Sequence, residues 1–409
     1  HFVKTKIPAF YKDDYITSEN DYLIALNFQL EEFRHLDGYV EKVMSTWPEL
    51  TEELIKNEDR FGNYIRGCKK LAKEILEKNS FNTSDKQKYL EQLVRYVKNN
   101  FDWNGNYGYS SDLKASDLAR MKKGNDAAIN LLLVALLREA GFSTEPVMLS
   151  TRDHGKIYSK YPFLHYFNYT IALTNLDGKS YLSDATNKLT CFDQIPTRCI
   201  NEIGLVVKKG EENWITISTN NLSNEMNSFT YQLNGSADSL KCSYSCKTTG
   251  YYALWAKTDY KEDSVKFIQE QINSAFAETL NSKIYEADTS KTFQFFATGL
   301  ITPTKIDKYI SFKPFLNCIE TNNPFIKRER TYPVDFVFPR KRTFFAQISL
   351  PEGAKLAKQP ESTSIDNSEY SLKYDVSFSG NSITVNAEYC LKNAVYKPTL
   401  YPGLKFFYE

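Results

Sequence analysis

Two aspartates, Asp126 and Asp184, are the residues of this 409-residue sequence most clearly placed to do chemistry. Asp126 opens an apolar run that continues to Leu137. It therefore stands at a helix N-terminus, where free amides and the macrodipole favour a carboxylate. Capping is the plain role there, and the neighbouring Asn125 can cap equally well. Facing Asp184 across a cleft, Asp126 would instead form an acid–base pair acting on a glycan or peptide, which in glycosidases needs carboxyls about 5–9.5 Å apart. Tyr169 lies in a strand-like run. A phenol that ionises near pH ~10 is a poor base at neutral pH, so its expected role is packing, with the hydroxyl on Asp184. Arg152 and His154 belong to the polar loop Thr151-Arg152-Asp153-His154-Gly155, and Asn168 precedes Tyr169. These three, together with Asn125, are candidates to line a cleft, where the loop could hold an anionic or amide group. Trp103, ahead of Asn104-Gly105-Asn106-Tyr107, has two open roles: packing in the core, or roofing such a cleft, where an aromatic would stack on a sugar or peptide.

Other reactive residues are poorly placed. The seven cysteines are widely spaced, without a CxxC or a Cys/His cluster of metal-binding type, so no metal and no cofactor is expected. Buried, unpaired thiols are the simple reading. Cys191 and Cys199 are nearest the candidate residues in sequence, yet neither precedes a helix. On a strand, His165 would share the face of Tyr169 but lie ~13 Å away, too far to serve the same proton. A net charge of +1 gives no general pull towards nucleic acid. The basic triplet Arg340-Lys341-Arg342 is expected at a solvated hairpin tip. No apolar run approaches the ~18 residues of a membrane helix.

The elements that must position these residues follow from periodicity. After a strand-like stretch at 22–28 the pattern becomes helical from Gly38 to Lys78, with Thr46 as N-cap of a helix beginning Trp47-Pro48. A second helix runs from Asp85 to about Asn99. The segment from Asn125 to Gly141 is apolar almost all round, the mark of a fully buried helix. Strands follow at 146–149, 169–173 and 180–182, the last two joined by Asp177-Gly178, a hairpin signal. Beyond Gly204 come Tyr- and Phe-rich alternating strands with Asn-Gly, Glu-Gly and Ser-Gly turns, interrupted by one helix expected near 262–277.

A buried helix with a functional residue at its start, followed by a hairpin, is the architecture of papain-like thiol enzymes, in which a helix-start Cys is activated by a strand His that an acid orients. Gly124, followed by Leu136-Leu137-Arg138-x-Ala140-Gly141, resembles the nucleophile helix of the transglutaminase-like superfamily. In that family the Cys stands two residues after the Gly and twelve before the Arg, and both counts land on Asp126. Phe167-Asn168-Tyr169-Thr170-Ile171 resembles the strand that carries the His, which places Tyr169 there. Tyr181-Leu182-Ser183-Asp184-Ala185-Thr186 resembles the Asp-x-Thr segment, with Asp184 retained. The wider text resembles a Bacteroidetes-type branch of exported multidomain proteins in which β-domains of unknown function flank such a core.

The resemblance implies an α+β chain: a papain-like, transglutaminase-like core followed by a β-sandwich-like C-terminal domain. The expected divisions are 1–35, the end of an N-terminal β-domain in a mature or trimmed chain; 36–205, the core; and 206–409, β-rich, as one unit or two divided near 325. With aspartate for Cys and tyrosine for His, ordinary thiol chemistry is lost by several orders of magnitude. The expected function is a catalytically inactive binding or scaffolding component of the cell envelope, periplasmic or at the cell surface. Its expected partner is an envelope protein, peptide or glycan. The alternative is a hydrolase of altered chemistry using Asp126 and Asp184.

Overall fold

An apolar helix with no polar face needs neighbours on every side, and Asp126–Glu139 has them: its residues from Asp126 to Leu137 are all buried. Asn125 caps it, its Oδ1 accepting from the Ala128 amide. At the other end Gly141 leaves the helix with φ +88°. The computed structural model describes residues 5–7, 9–25, 28, 30–42, 45–219, 221–233, 239–285, 291–319 and 322–409, which form two compact units, 1–218 and 219–409.

In the first unit, helices Gly62–Gly67, Lys69–Lys78 and Lys86–Asn100 pack against the central helix. Trp47–Lys56 begins with a complete capping box between Thr46 and Glu49. Strands Ser143–Leu149 and Tyr169–Leu176 cover the helix from the sheet side. They belong to a five-stranded antiparallel sheet whose order is 179–183, 169–176, 143–149, 203–206, 214–216. Asp177 and Gly178 both take positive φ, 49° and 76°, as a two-residue turn matched to strand twist requires. The expected strand at 22–28 is not present at residues 22–25, and Leu26 and Asn27 lie outside the described residues. Leu23 and Ile24 are exposed, so these apolar residues have no sheet partner to fix them extended. Short strands pair instead at Glu32–Arg34 and Val40–Lys42.

The second unit is built on an eight-stranded sheet, in the order 278–285, 292–301, 240–249, 223–233, 340–349, 382–391, 370–379, 363–366. Only the pairing of 223–233 with 340–349 is parallel among these strands. Glu352-Gly353 and Ser379-Gly380 turn with positive φ at glycine, while Asn234-Gly235 lies outside the described residues. The helix expected near 262–277 is two helices shifted towards the N-terminus, Gly250–Glu262 and Ser264–Gln271, divided at Asp263, which caps the second. The basic triplet is likewise not a hairpin tip. Arg340–Ser349 is an inner strand. Arg342 is largely buried and paired with Glu225 at 2.6 Å, while Lys341, on the opposite face, pairs with Glu388 at 2.8 Å. A strand sends successive side chains to opposite faces, so three adjacent cations can be divided between a core and a surface.

Candidate functional site

The start of the central helix, strand 169–176 and the loop after strand 179–183 converge on Asp126, Tyr169 and Asp184. Asp126 is fully buried and its two oxygens hold two different segments. Oδ1 accepts from the Gly108 amide at 2.8 Å and Oδ2 from the Thr170 amide at 3.0 Å. Burial pushes this carboxyl well above the usual carboxylate range, and the amides of Thr170 and Gly108 pull the other way. Asp126 thus ties loop and strand to the helix, and Asn125 is the cap.

Tyr169, also fully buried, donates to Asp184 Oδ2 at 2.8 Å. The same oxygen accepts from Asn130 Nδ2 at 2.9 Å. Asp184 Oδ1 accepts from the Thr186 amide at 2.9 Å and the Thr186 hydroxyl at 2.7 Å. Four donors leave this carboxylate saturated. Arg198 Nη2 donates to the Tyr169 and Thr186 hydroxyl oxygens at 3.0 and 2.8 Å. The Arg198 guanidinium lies 4.5 Å above the Trp103 ring, and its Nε is buried without a partner. Tyr107, half-exposed, stands 5.5 Å from Trp103 and 5.9 Å from Tyr169 between ring centroids. Trp103, Tyr107 and Arg198 therefore crowd the space where a substrate would meet the triad positions.

Three of the sequence candidates are engaged elsewhere. Asn168 bonds Thr151 twice, accepting from its amide and donating to its hydroxyl, each at 2.8 Å. Arg152 Nη1 donates to the Ile200 carbonyl at 3.2 Å. His154 Nδ1 lies 3.0 Å from the Ser150 hydroxyl, and burial pushes its pKa down. His165 is not on a strand: Leu164–Tyr166 is a 3₁₀ turn that carries it beside His154, 5.8 Å between rings. Asn130, Arg198 and Lys98 were not among the sequence candidates, and Cys199 was set aside for not preceding a helix. Cys199 is fully buried near Tyr169 and Asp184, and burial raises its thiol well above the usual range. Lys98 donates to the Thr190 carbonyl and hydroxyl, both at 2.6 Å, and burial lowers its pKa to about 8. No motif marks any of the four, because each reaches the cluster through the fold. All seven cysteines are free thiols, and five of them are buried. Among the described residues no group of three or more His, Cys, Asp or Glu is placed to hold a metal, and no helix is long and apolar enough to cross a membrane.

Chemically the cluster has a hydrogen-bonded phenol where a base would stand and an amide-bound carboxyl where a nucleophile would stand. Residues 69–189 match the transglutaminase-like superfamily, and residues 307–409 match a domain of unknown function with a solved structure, DUF3858. A comparison with curated proteins gives no match. Among solved structures, the chain is similar to a protein from Parabacteroides distasonis described as a candidate protease, at 12% identity and a TM-score of 0.46. The similarity covers 88% of this chain and 55% of that one, so the chain spans about half the length of that protein.

Proposed function

We propose that this chain, whose residues 69–189 form a transglutaminase-like domain, has given up acyl-transfer chemistry and acts as a binding or scaffolding component of the cell envelope. The observation that carries the first half is the engagement of Asp126 and Tyr169. Both are fully buried, one held by two backbone amides and the other by Asp184, Thr186 and Arg198. A thiolate and an imidazole at these positions would supply nucleophile and base. A buried phenol hydrogen-bonded to a carboxylate supplies neither. The paired-carboxylate hydrolase is disfavoured by the same contacts, since Asp126 and Asp184 are both closed to solvent and their oxygens are occupied.

The binding role and the envelope location rest on the resemblance of the segments around the triad to exported proteins with flanking β-domains. The intact core pattern around a missing Cys and His is the reason to expect a retained, non-catalytic use. The purified chain is to be incubated with a glutamine-containing peptide and a fluorescent primary amine, and separately with a peptide library read by mass spectrometry. No transamidation and no cleavage is the expected result. Turnover that disappears in a folded Tyr169→Phe variant would overturn the proposal. Fractionation of the native cells, with the chain found in the cytosol, would overturn its envelope half.

A further inference from the structure

The second unit contains a cavity of about 370 Å³, framed by helices 250–262 and 264–271 and by strands 240–249 and 292–301. That volume lies at the lower end of small-molecule sites. Its walls are aromatic, including Tyr244, Trp255, Phe267, Phe293 and Phe295. Three carboxylates, Glu225, Asp259 and Glu270, line it against one guanidinium, Arg342.

The polar groups in this cavity are unevenly used. Glu225 Oε1 accepts from Arg342 Nε at 2.9 Å, from Arg342 Nη2 at 2.6 Å and from Asn227 Nδ2 at 2.8 Å. Among the described residues Glu225 Oε2 accepts no hydrogen bond, although the residue is only partly exposed. Arg342 is turned to structural work, its Nη1 on the Tyr389 hydroxyl and its Nη2 also on the Cys318 carbonyl, both at 2.9 Å. The Tyr252 hydroxyl, on the same wall, has no hydrogen-bond partner among the described residues. Asp259 and Glu270 are exposed, and Glu270 has Lys266 only at 4.0 Å. The Arg342–Glu225 pair cancels, which leaves the excess negative charge to Asp259 and Glu270. Aromatic faces with negative charge around them attract a cation through the ring quadrupole as well as by Coulomb force.

We propose that this cavity binds a small organic cation, a primary ammonium or guanidinium group on a compact apolar body, with the cationic end donating to Glu225 Oε2 and the body against the aromatic walls. The inference stands independently of the reading of the transglutaminase-like domain.

The test uses the full chain and a matched pair of probes, 2-phenylethylamine and its neutral counterpart 2-phenylethanol, titrated by calorimetry and by ligand-observed NMR. Saturable binding of the amine is expected, with the alcohol weaker by at least about tenfold, a 1.4 kcal/mol difference. Trp255→Ala, at a partly exposed wall position, and Asp259→Asn, at an exposed one, are each expected to weaken the amine several-fold, the second most clearly at low salt. Glu225→Gln is expected to weaken it further; if that variant fails to fold, Trp255→Ala and Asp259→Asn decide. Equal binding of amine and alcohol, no saturable binding of the amine, or unchanged affinity in Trp255→Ala would overturn the proposal.

Discussion

A buried charge is tolerated only when its surroundings compensate it, and the transglutaminase-like domain carries Lys98 alongside Asp126 and Asp184 in its interior. Burial lowers the Lys98 pKa to about 8 from an ordinary 10.5, with Asp184, Cys191 and Asp193 opposing it. Between these values the unfolded chain binds more protons at this site than the folded one, so the site's contribution to stability rises with pH through that window and is lost as pH falls through about 8. The Cys68 thiol, raised by burial to about 12, works in the opposite sense, so the comparison must be between variants. Urea denaturation of wild type and Lys98→Met should give a stability difference that shifts in favour of wild type by up to on the order of 3 kcal/mol from neutral to alkaline pH. A difference that does not move with pH would sink this account. At this scale the sequence exposed half of the site. Asp126 and Tyr169 were found by counting from Gly124, Arg138 and the Phe-Asn pair, because triad spacing is local. Lys98 and Arg198 were invisible, since a long flexible cation reads as surface in any sequence and only the fold turns it inward.

Among the elements, the central helix depends on the close approach that Gly124 permits. A Cβ there would stand 2.9 Å from the Ala128 Cβ and 3.2 Å from Leu118 Cδ1, and the first of these cannot rotate away. Gly124→Ala should therefore destabilise the first unit by about 1–3 kcal/mol through overpacking. Gly141→Ala meets open space but must hold φ near +88°, and should cost only about 1 kcal/mol of backbone strain. Denaturation midpoints of the two variants check the ranking, and Gly141→Ala proving the worse would refute it. Helices with a clear cap or an all-apolar interior were legible, as at Thr46 and Asn125. The helix Gly250–Glu262 was not, because Tyr251, Tyr252 and Trp255 continue the aromatic-rich text of the strands before it, and such text suggests strand. That misreading concealed the wall that Tyr252 and Trp255 give to the cavity.

For the chain as a whole, the boundary of a family match and the boundary of a folding unit differ. Residues 307–409 match one domain family, yet strand 340–349 pairs over its whole length with strand 223–233, which lies outside that segment. The core is shared in the same way, Phe344, Ala346 and Ile348 being buried in one cluster with Phe229, Tyr231 and Tyr244. Cutting at 307 would leave 340–349 as a long, flat edge with a bare apolar face, the situation that leads to intermolecular pairing. Residues 219–409 keep all eight strands and both helices that cover them. Expressed alone, 219–409 should be soluble, show sheet-type circular dichroism and unfold in one cooperative transition. Residues 307–409 alone should aggregate or melt without cooperativity. A soluble 307–409 fragment with a sharp transition would mean that the eight-stranded sheet is two folding units joined at the 223–233/340–349 seam.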